Sequence, residues 1–333
     1  YTRLFKENNW VVPEGAPGGG LPKPVVLMAR GGMCDAGYKW FQALGRYMDV
    51  PVLNLEMPQS GSREYFLKGN KEDYIKFIVK ELREYISSLE RILGKKLNWD
   101  KLSERVDTQL KSIRVMHEID LLRTAVPSPM VSQDFWTIMP AFYLFPDEGY
   151  SLEFLQRVYR EVKERVDNKV GAVPDEKYRM MFTELPPWHT LRFFDELAER
   201  HGIAFVKETW AYQIPDLSEV NLEGATDPLE ILARLNYAFW NGYTSVAKKY
   251  AVDPLIATAA FLQWAEEYRV DGLLGHLLIS CHPATYTVLH VANLLMENLK
   301  VPSVLIEGDI VDLRLFNEEE AYAKVDAFIE TMD

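Results

Sequence analysis

The sequence predicts an α/β protein in which two regions of parallel sheet flank a mainly helical segment. Near both ends of the chain, short apolar runs alternate with amphipathic stretches of helical period. Between them, apolar residues recur at helical spacing. Alternating strands and helices are typical of parallel, doubly wound sheets with right-handed crossovers. We therefore divide the chain into a partial N-terminal α/β domain over residues 1–70, a helical segment over 71–170 and a C-terminal doubly wound α/β domain over 171–333.

The N-terminal region contains one predicted strand–helix–strand unit. Residues 1–23 are rich in proline and glycine and predict a loop. The apolar run over 24–29 predicts a buried parallel strand, because it is bounded by proline and by glycine. A helix is predicted over 36–47 and a second strand over 50–55.

The middle of the chain carries the apolar spacing of amphipathic helices. One predicted helix ends before Gly94, a second covers 102–122 and a third covers 152–166. Residues 127–140 contain three prolines and are predicted to be irregular chain.

The C-terminal region returns to alternating strands and helices. Strands are predicted over 179–183, 203–207, 273–279 and 303–306, and helices over 191–200, 228–249, 254–268, 286–299 and 318–331. This order predicts a single parallel sheet with helices on its faces.

Composition narrows the class of protein. A length of 333 residues suits two domains of roughly 100–200 residues each. The chain has 37 basic and 49 acidic residues, a net charge of −12, which argues against a general nucleic-acid binder. No apolar run approaches the roughly 20 residues that cross a bilayer. We therefore expect no membrane partner, and because two cysteines do not indicate a disulfide framework, we expect a cytoplasmic protein.

The two cysteines occupy matching places in the two α/β regions. Cys34 and Cys281 each follow an apolar strand and precede a helix, and a second strand then ends near Glu56 or Glu307. Ligands of open α/β sheets bind beyond the carboxyl ends of the strands, and a helix N-terminus favours a thiolate. The placement suits metal or cluster ligation or a reactive thiol. The alternative is that both thiols are simply buried in the core.

Further polar residues fall near predicted strand ends. Trp188, Glu208 and Glu307 are candidates for a substrate pocket, and His189 and His282 are candidate proton donors. Each histidine could instead be structural, and each glutamate could be a helix cap or an ion-pair partner. Likewise, the aromatic residues of 135–145 could line an acyl pocket or belong to the core.

Three stretches resemble one enzyme family. They are CDAGYKWFQALGRYMDVPVLNLEMP from Cys34, KYRMMFTELPPWHTLRFFDELAERHGIAFVKETW from Lys177 and SCHPATYTVLHVANLLMENLKVPSVLIEGD from Ser280. Together they resemble the benzoyl-CoA reductase and 2-hydroxyacyl-CoA dehydratase family, and the likeness covers nearly the whole chain.

The resemblance implies a fold, a cofactor and partners. It implies two flavodoxin-like parallel-sheet layers with a helical segment between them. It also implies a [4Fe–4S] cluster held by three cysteines, a related cluster-binding subunit in a hetero- or homodimer, and an ATP-hydrolysing iron–sulfur activator. The implied substrate is an acyl-CoA thioester.

Only two of the family's three cysteines match this chain. Cys34 matches the cysteine of the family's Cys-Asp pair, and Cys281 matches the cysteine of its C-terminal sheet. The resemblance therefore implies a third ligand upstream of Tyr1.

Four functions are compatible with these features. The leading one is an iron–sulfur subunit of a benzoyl-CoA reductase-type enzyme, which reduces the aromatic ring of an acyl-CoA by one-electron steps at low potential. The alternatives are a 2-hydroxyacyl-CoA dehydratase subunit, which eliminates water through a ketyl radical, and a double-cubane-type reductase. A cluster-free scaffold subunit is favoured by the presence of only two cysteines.

Overall fold

The computed structural model describes residues 6–7, 9, 11, 20, 22–31, 35–57, 71–144, 149–209, 214–215, 217–218, 220–241, 249–250, 258–310 and 312–332. Cys34, a predicted cluster ligand, lies outside the described residues, and so does the side chain of His282.

The N-terminal unit is a strand, a helix and a parallel strand. Strand β1 (Leu27–Arg30) pairs in parallel with β2 (Val52–Leu55), and helix α1 (Asp35–Met48) connects them. The helix lies so close to the sheet that a Cβ at Gly45 would approach a methyl group of Val52 to 2.4 Å. Only glycine allows this approach without displacing the strand.

Four helices follow the first sheet. They are α2 (Lys71–Leu93), α3 (Trp99–Leu122), α4 (Ser132–Tyr143) and α5 (Gly149–Asp167). The sequence places a cap before α3, where the Asn98 side chain accepts the Lys101 N–H at 2.9 Å. The long helices agree with the amphipathic spacing that predicts them.

Helix α4 corrects one expectation. Residues 127–140 were predicted to be irregular, yet Pro140 lies inside α4. The proline is exposed and sits in the last turns, so it removes only one helical hydrogen bond. Burial of Phe135 and Trp136, which are at most 3% exposed, outweighs that loss.

The C-terminal region forms a four-stranded parallel sheet in the order β4-β3-β5-β6. Its elements are β3 (Tyr178–Thr183), α6 (Arg192–His201), β4 (Ile203–Glu208), α7 (Pro228–Asn241), α8 (Thr258–Glu267), β5 (Gly272–Leu278), α9 (His282–Leu299), β6 (Ser303–Gly308) and α10 (Glu318–Glu330). Short 3₁₀ turns cover Trp188–Thr190 and Leu313–Leu315. Strands β3 and β5 are therefore the central pair.

The α/β class with two parallel sheets is confirmed. Each predicted strand appears within three residues of its expected bounds, whereas α9 begins at His282, four residues earlier than predicted. The flavodoxin-like layering and the three domain boundaries remain predictions. Within the described part of the chain, no helix combines the length and apolarity of a membrane span.

The C-terminal sheet is buried on both faces. Phe182 and Phe205 face one core cluster with Phe194 of α6, while Met181 and Leu273 face a second cluster beneath α8 and α9. Such continuous apolar strands are expected of a parallel sheet covered by helices.

A smaller cluster joins the helical segment to the C-terminal region. Tyr74 and Ile78 of α2 pack with Ala233 of α7, and the Tyr74 hydroxyl donates to Asn236 at 2.7 Å.

A buried ion pair connects the end of α3 to the end of β4. Arg123 and Glu208 are both 0% exposed, and the guanidinium donates to the two carboxylate oxygens at 2.8 and 2.5 Å. The Ser132 hydroxyl of α4 also donates to Glu208, at 2.5 Å. The pair is bidentate, the geometry in which arginine–carboxylate contacts are strongest.

The same network extends to Lys207, whose ammonium contacts the Asp120 carboxylate. Its Nζ also lies 4.7 Å from the ring centroid of Trp264 and 4.6 Å from that of Tyr268. Burial alone would raise the pKa of Asp120, but the charges of Lys207 and Arg123 hold it below its usual value. This carboxylate therefore stabilises the fold above its unfolded pKa of about 3.9, and the contribution is lost as the pH falls further.

Replacing Arg123 with Met should lower the free energy of unfolding by about 3–5 kcal/mol, because Glu208 would be left buried without its counter-charge. Chemical denaturation followed by circular dichroism measures the change. Lys163→Met breaks an exposed ion pair with Asp167 and should change stability by about 0.5 kcal/mol or less. Equal losses of unfolding free energy in the two variants would contradict a large contribution of the Arg123–Glu208 ion pair to stability.

Candidate functional site

The carboxyl edge of the C-terminal sheet gathers the candidate residues. Because β3 and β5 are adjacent and parallel, the segments that follow them emerge at the same edge. Ligands of open α/β sheets bind at this edge. The residues after Thr183 and after Leu278 therefore form the candidate site.

Cys281 lies three residues beyond the end of β5, at the cap of α9. Its N–H donates to the Leu278 carbonyl at 3.2 Å, and its own carbonyl accepts the Thr285 N–H at 3.1 Å. The residue is of intermediate exposure. The fold therefore presents this thiol where the helix N-terminus meets the sheet edge, as the sequence predicts.

Asp309 fixes the loop that carries Cys281. The residue follows β6 and is 1% exposed. Its carboxylate accepts the Ser280 N–H at 3.0 Å and the Asp312 N–H at 3.1 Å. One buried carboxylate thus ties the loops after β5 and β6 together.

His276 fixes the loop after β3. This β5 residue is 0% exposed, and its Nδ1 lies 2.7 Å from the Leu185 carbonyl oxygen. Because a carbonyl only accepts, Nδ1 must carry the proton. Burial lowers the pKa of His276, so the ring is neutral near pH 7. The ring packs so tightly that a Cβ at Gly308 would lie 2.5 Å from Nε2.

Glu184 is the first residue after β3 and was missed by the sequence reasoning. Its φ of 74° is in the left-handed region, which residues other than glycine rarely adopt. Its N–H donates to the Thr209 hydroxyl at 2.7 Å, and that hydroxyl contacts the Thr183 hydroxyl at 3.1 Å. Burial raises the pKa of Glu184 to about 8. The sequence does carry one indication of Glu184, because it is an acidic residue between a predicted strand and a Pro-Pro pair.

Trp188 and His189 lie in the 3₁₀ turn of this same loop. The Trp188 ring packs edge-on against Trp136 of α4, with centroids 6.1 Å apart, and remains exposed. The His189 ring packs against Phe316 at 5.5 Å and is also exposed. Both residues therefore lie on the loop that follows β3, which agrees with the prediction for their position.

The two predicted pocket glutamates lie in different surroundings. Glu208 is fully buried and both its oxygens are bound by Arg123, which is the ion-pair alternative considered for it. Glu307 is exposed, in a shallow groove that also contains Asn317, Glu320 and Lys324. The contacts named here do not link either glutamate to Cys281. The pocket role of both glutamates remains a prediction.

Thiolates are the usual ligands of iron–sulfur clusters, so Cys281 fits that chemistry. Within the described ranges, no group of three or more His, Cys, Asp or Glu residues is arranged to hold a metal ion. A cluster at Cys281 would draw further ligands from outside those ranges, where Cys34 lies.

Comparison with known proteins matches residues 9–332 to the family model of the 2-hydroxyglutaryl-CoA dehydratase D-component. The chain belongs to this family. The resemblance inferred from the three sequence stretches is thereby confirmed.

Its relatives include both dehydratase and reductase subunits. The chain is 23% identical over 341 residues to the lactoyl-CoA dehydratase alpha subunit of Anaerotignum propionicum, covering 100% of this chain and 76% of the relative. It is 25% identical over 338 residues to a benzoyl-CoA reductase subunit of Thauera aromatica, covering 97% and 73%. It is also 22% identical over 301 residues to the (R)-phenyllactyl-CoA dehydratase beta subunit of Clostridium sporogenes, covering 90% and 73%.

Replacing Asp309 with Ala should loosen the Cys281 loop, because the amides of Ser280 and Asp312 would lose their common acceptor. A lost buried acceptor costs about 1–3 kcal/mol, so hydrogen exchange at both amides should accelerate about fivefold or more.

The control for this variant is Asp312→Ala, which removes an exposed pair with Arg314 and leaves the contacts of Asp309 in place. Exchange mass spectrometry on peptides covering 278–284 and 309–315 measures both variants. Equal exchange at Ser280 in wild type and Asp309→Ala would refute the tethering role.

Proposed function

We propose that this chain is the iron–sulfur subunit of a benzoyl-CoA reductase-type enzyme, with Cys34 and Cys281 as ligands of a [4Fe–4S] cluster. The observation that supports this most directly is the family match over residues 9–332, which includes both cysteines. Its partners would be a related cluster-binding subunit and an ATP-hydrolysing activator. Relatives that are named as alpha and beta subunits support the first partner.

The bound cluster would supply electrons of low potential to an acyl-CoA. The chain's own residues would hold Cys281 in place, exclude water and bind the substrate. Asp309 orders the loop of Cys281, and His276 orders the loop of Trp188 and His189. Hydrogen bonds and burial around the sulfurs then tune the potential. His189 and His282 remain candidates for proton donors.

The dehydratase branch is the second candidate. It is supported by the dehydratase subunits among the relatives, which are 20–23% identical to this chain, against 25% for the reductase subunit. In that reaction the substrate is a 2-hydroxyacyl-CoA and the product is an enoyl-CoA. The two branches thus differ in product, which makes them separable by experiment.

The test is anaerobic purification of the full-length protein with its partner subunit, followed by iron and sulfide analysis and electron paramagnetic resonance. About four irons per chain and a reducible signal are expected of a cubane cluster. With reductant and ATP-dependent activator, benzoyl-CoA should be converted to a ring-reduced thioester. Conversion of (R)-lactoyl-CoA instead would assign the dehydratase branch. Absence of iron would assign the scaffold function.

Replacing Cys281 or Cys34 with Ala should remove about four irons per chain. The fold should persist, because Cys281 lies in a loop rather than in a core cluster. Iron analysis and circular dichroism measure the two effects. Ser280→Ala, next to the ligand and exposed, is the matched control and should retain its iron. Full iron content in both cysteine variants would exclude them as ligands.

A further inference from the structure

We propose that Glu184 binds the acyl substrate by donating a hydrogen bond from its carboxyl group to the thioester carbonyl oxygen. This inference rests on the proposed function, because it takes an acyl-CoA as the substrate. It adds a substrate-binding residue to the sheet edge that carries Cys281.

The position of Glu184 is the first observation that supports the proposal. It directly follows β3, and Cys281 follows β5, the strand hydrogen-bonded to β3. Substrates of open parallel sheets bind at this edge, between the loops of adjacent strands. Glu184 therefore leaves the sheet at the same edge as the proposed cluster ligand.

The backbone of Glu184 is held in an uncommon conformation. Hydrogen bonds on both sides maintain its φ of 74°. The Glu184 N–H donates to the Thr209 hydroxyl, and Nδ1 of His276 donates to the carbonyl of Leu185, the next residue. Residues other than glycine keep such a φ where surrounding contacts enforce it, and these positions cluster at functional sites. A side chain of β5 and one from the residue after β4 thus hold Glu184 and its neighbour Leu185.

Glu184 is of intermediate exposure, so it is not sealed within the core, and no residue that the structure describes gives its carboxyl group a counter-charge. Burial is the cause that raises its pKa to about 8, so the group carries its proton at neutral pH. A carboxylic acid kept neutral by its surroundings can donate to a carbonyl oxygen on which negative charge develops. A carboxylate at this place would instead repel that charge.

The neighbouring titratable groups are otherwise engaged. Beside β3, Lys207 and Glu208 of β4 belong to the buried ion network, and His276 of β5 is a neutral donor to Leu185. Asp309 after β6 accepts two backbone amides. His189 is exposed on the loop after Glu184. None of these hydrogen bonds or ion pairs is made to the Glu184 carboxyl.

The experiment measures benzoyl-CoA and (R)-lactoyl-CoA binding to the assembled, anaerobically purified enzyme without reductant, by calorimetry between pH 7 and pH 9. For a donor with a pKa of about 8, the wild-type Kd should rise about tenfold across this range, since only the protonated acid donates. Glu184→Gln keeps an uncharged donor of similar size, so its affinity should be independent of pH. Glu184→Leu should bind about tenfold more weakly than wild type at pH 7.

The matched control is Glu199→Gln, an exposed glutamate of α6, which should retain the wild-type pH profile. Carboxyl infrared difference spectra of wild type minus Glu184→Gln read the protonation state independently of binding. A pH-independent wild-type Kd, or a Glu184→Gln profile equal to that of wild type, would overturn the assignment while leaving acyl-CoA binding intact. Failure of wild type to bind either thioester at any pH would overturn the proposed function as well.

Discussion

The ion pair between Arg123 and Glu208 joins the helical segment to the C-terminal sheet. Arg123 caps α3, Glu208 ends β4 and Ser132 begins α4, so three separate elements meet at one carboxylate. Because both charges are fully buried, neither could remain in place without the other. The end of β4, which directly precedes Thr209, is therefore anchored to the end of α3.

The carboxyl edge is built by the same kind of long-range contact. His276 of β5 holds the loop of β3, Thr209 after β4 holds Glu184, and Asp309 after β6 holds the loop of β5. Each loop is thus fixed by a side chain from a neighbouring strand or from the residue that follows one. Such cross-linking gives a rigid frame at the place where a catalytic cluster and a substrate would need defined positions.

Periodicity was sufficient to predict the strands and most helices, since burial of one face leaves a readable pattern. Cys281 was also predictable, because a cysteine between an apolar strand and a helix has a defined place in an α/β fold. Helix α4 was not, since Pro140 suggests a break while the aromatic burial that overrides it depends on the tertiary structure. The partner of Glu208 lies 85 positions away, and no local pattern indicates it.

Glu184 and Glu208 show why residue type alone could not assign the site. Glu184 directly follows β3 and Glu208 is the last residue of β4, so two carboxyl groups lie at the ends of neighbouring strands. Glu208 meets a guanidinium and is held in an ion pair, whereas Glu184 meets no described cation and burial raises its pKa. Opposite surroundings thus separate a structural carboxylate from a neutral acid. Glu184, which has no described counter-charge, is therefore the acid that we propose to bind the substrate. Glu208 is paired with Arg123 and fixes the end of β4, and the next residue, Thr209, holds Glu184.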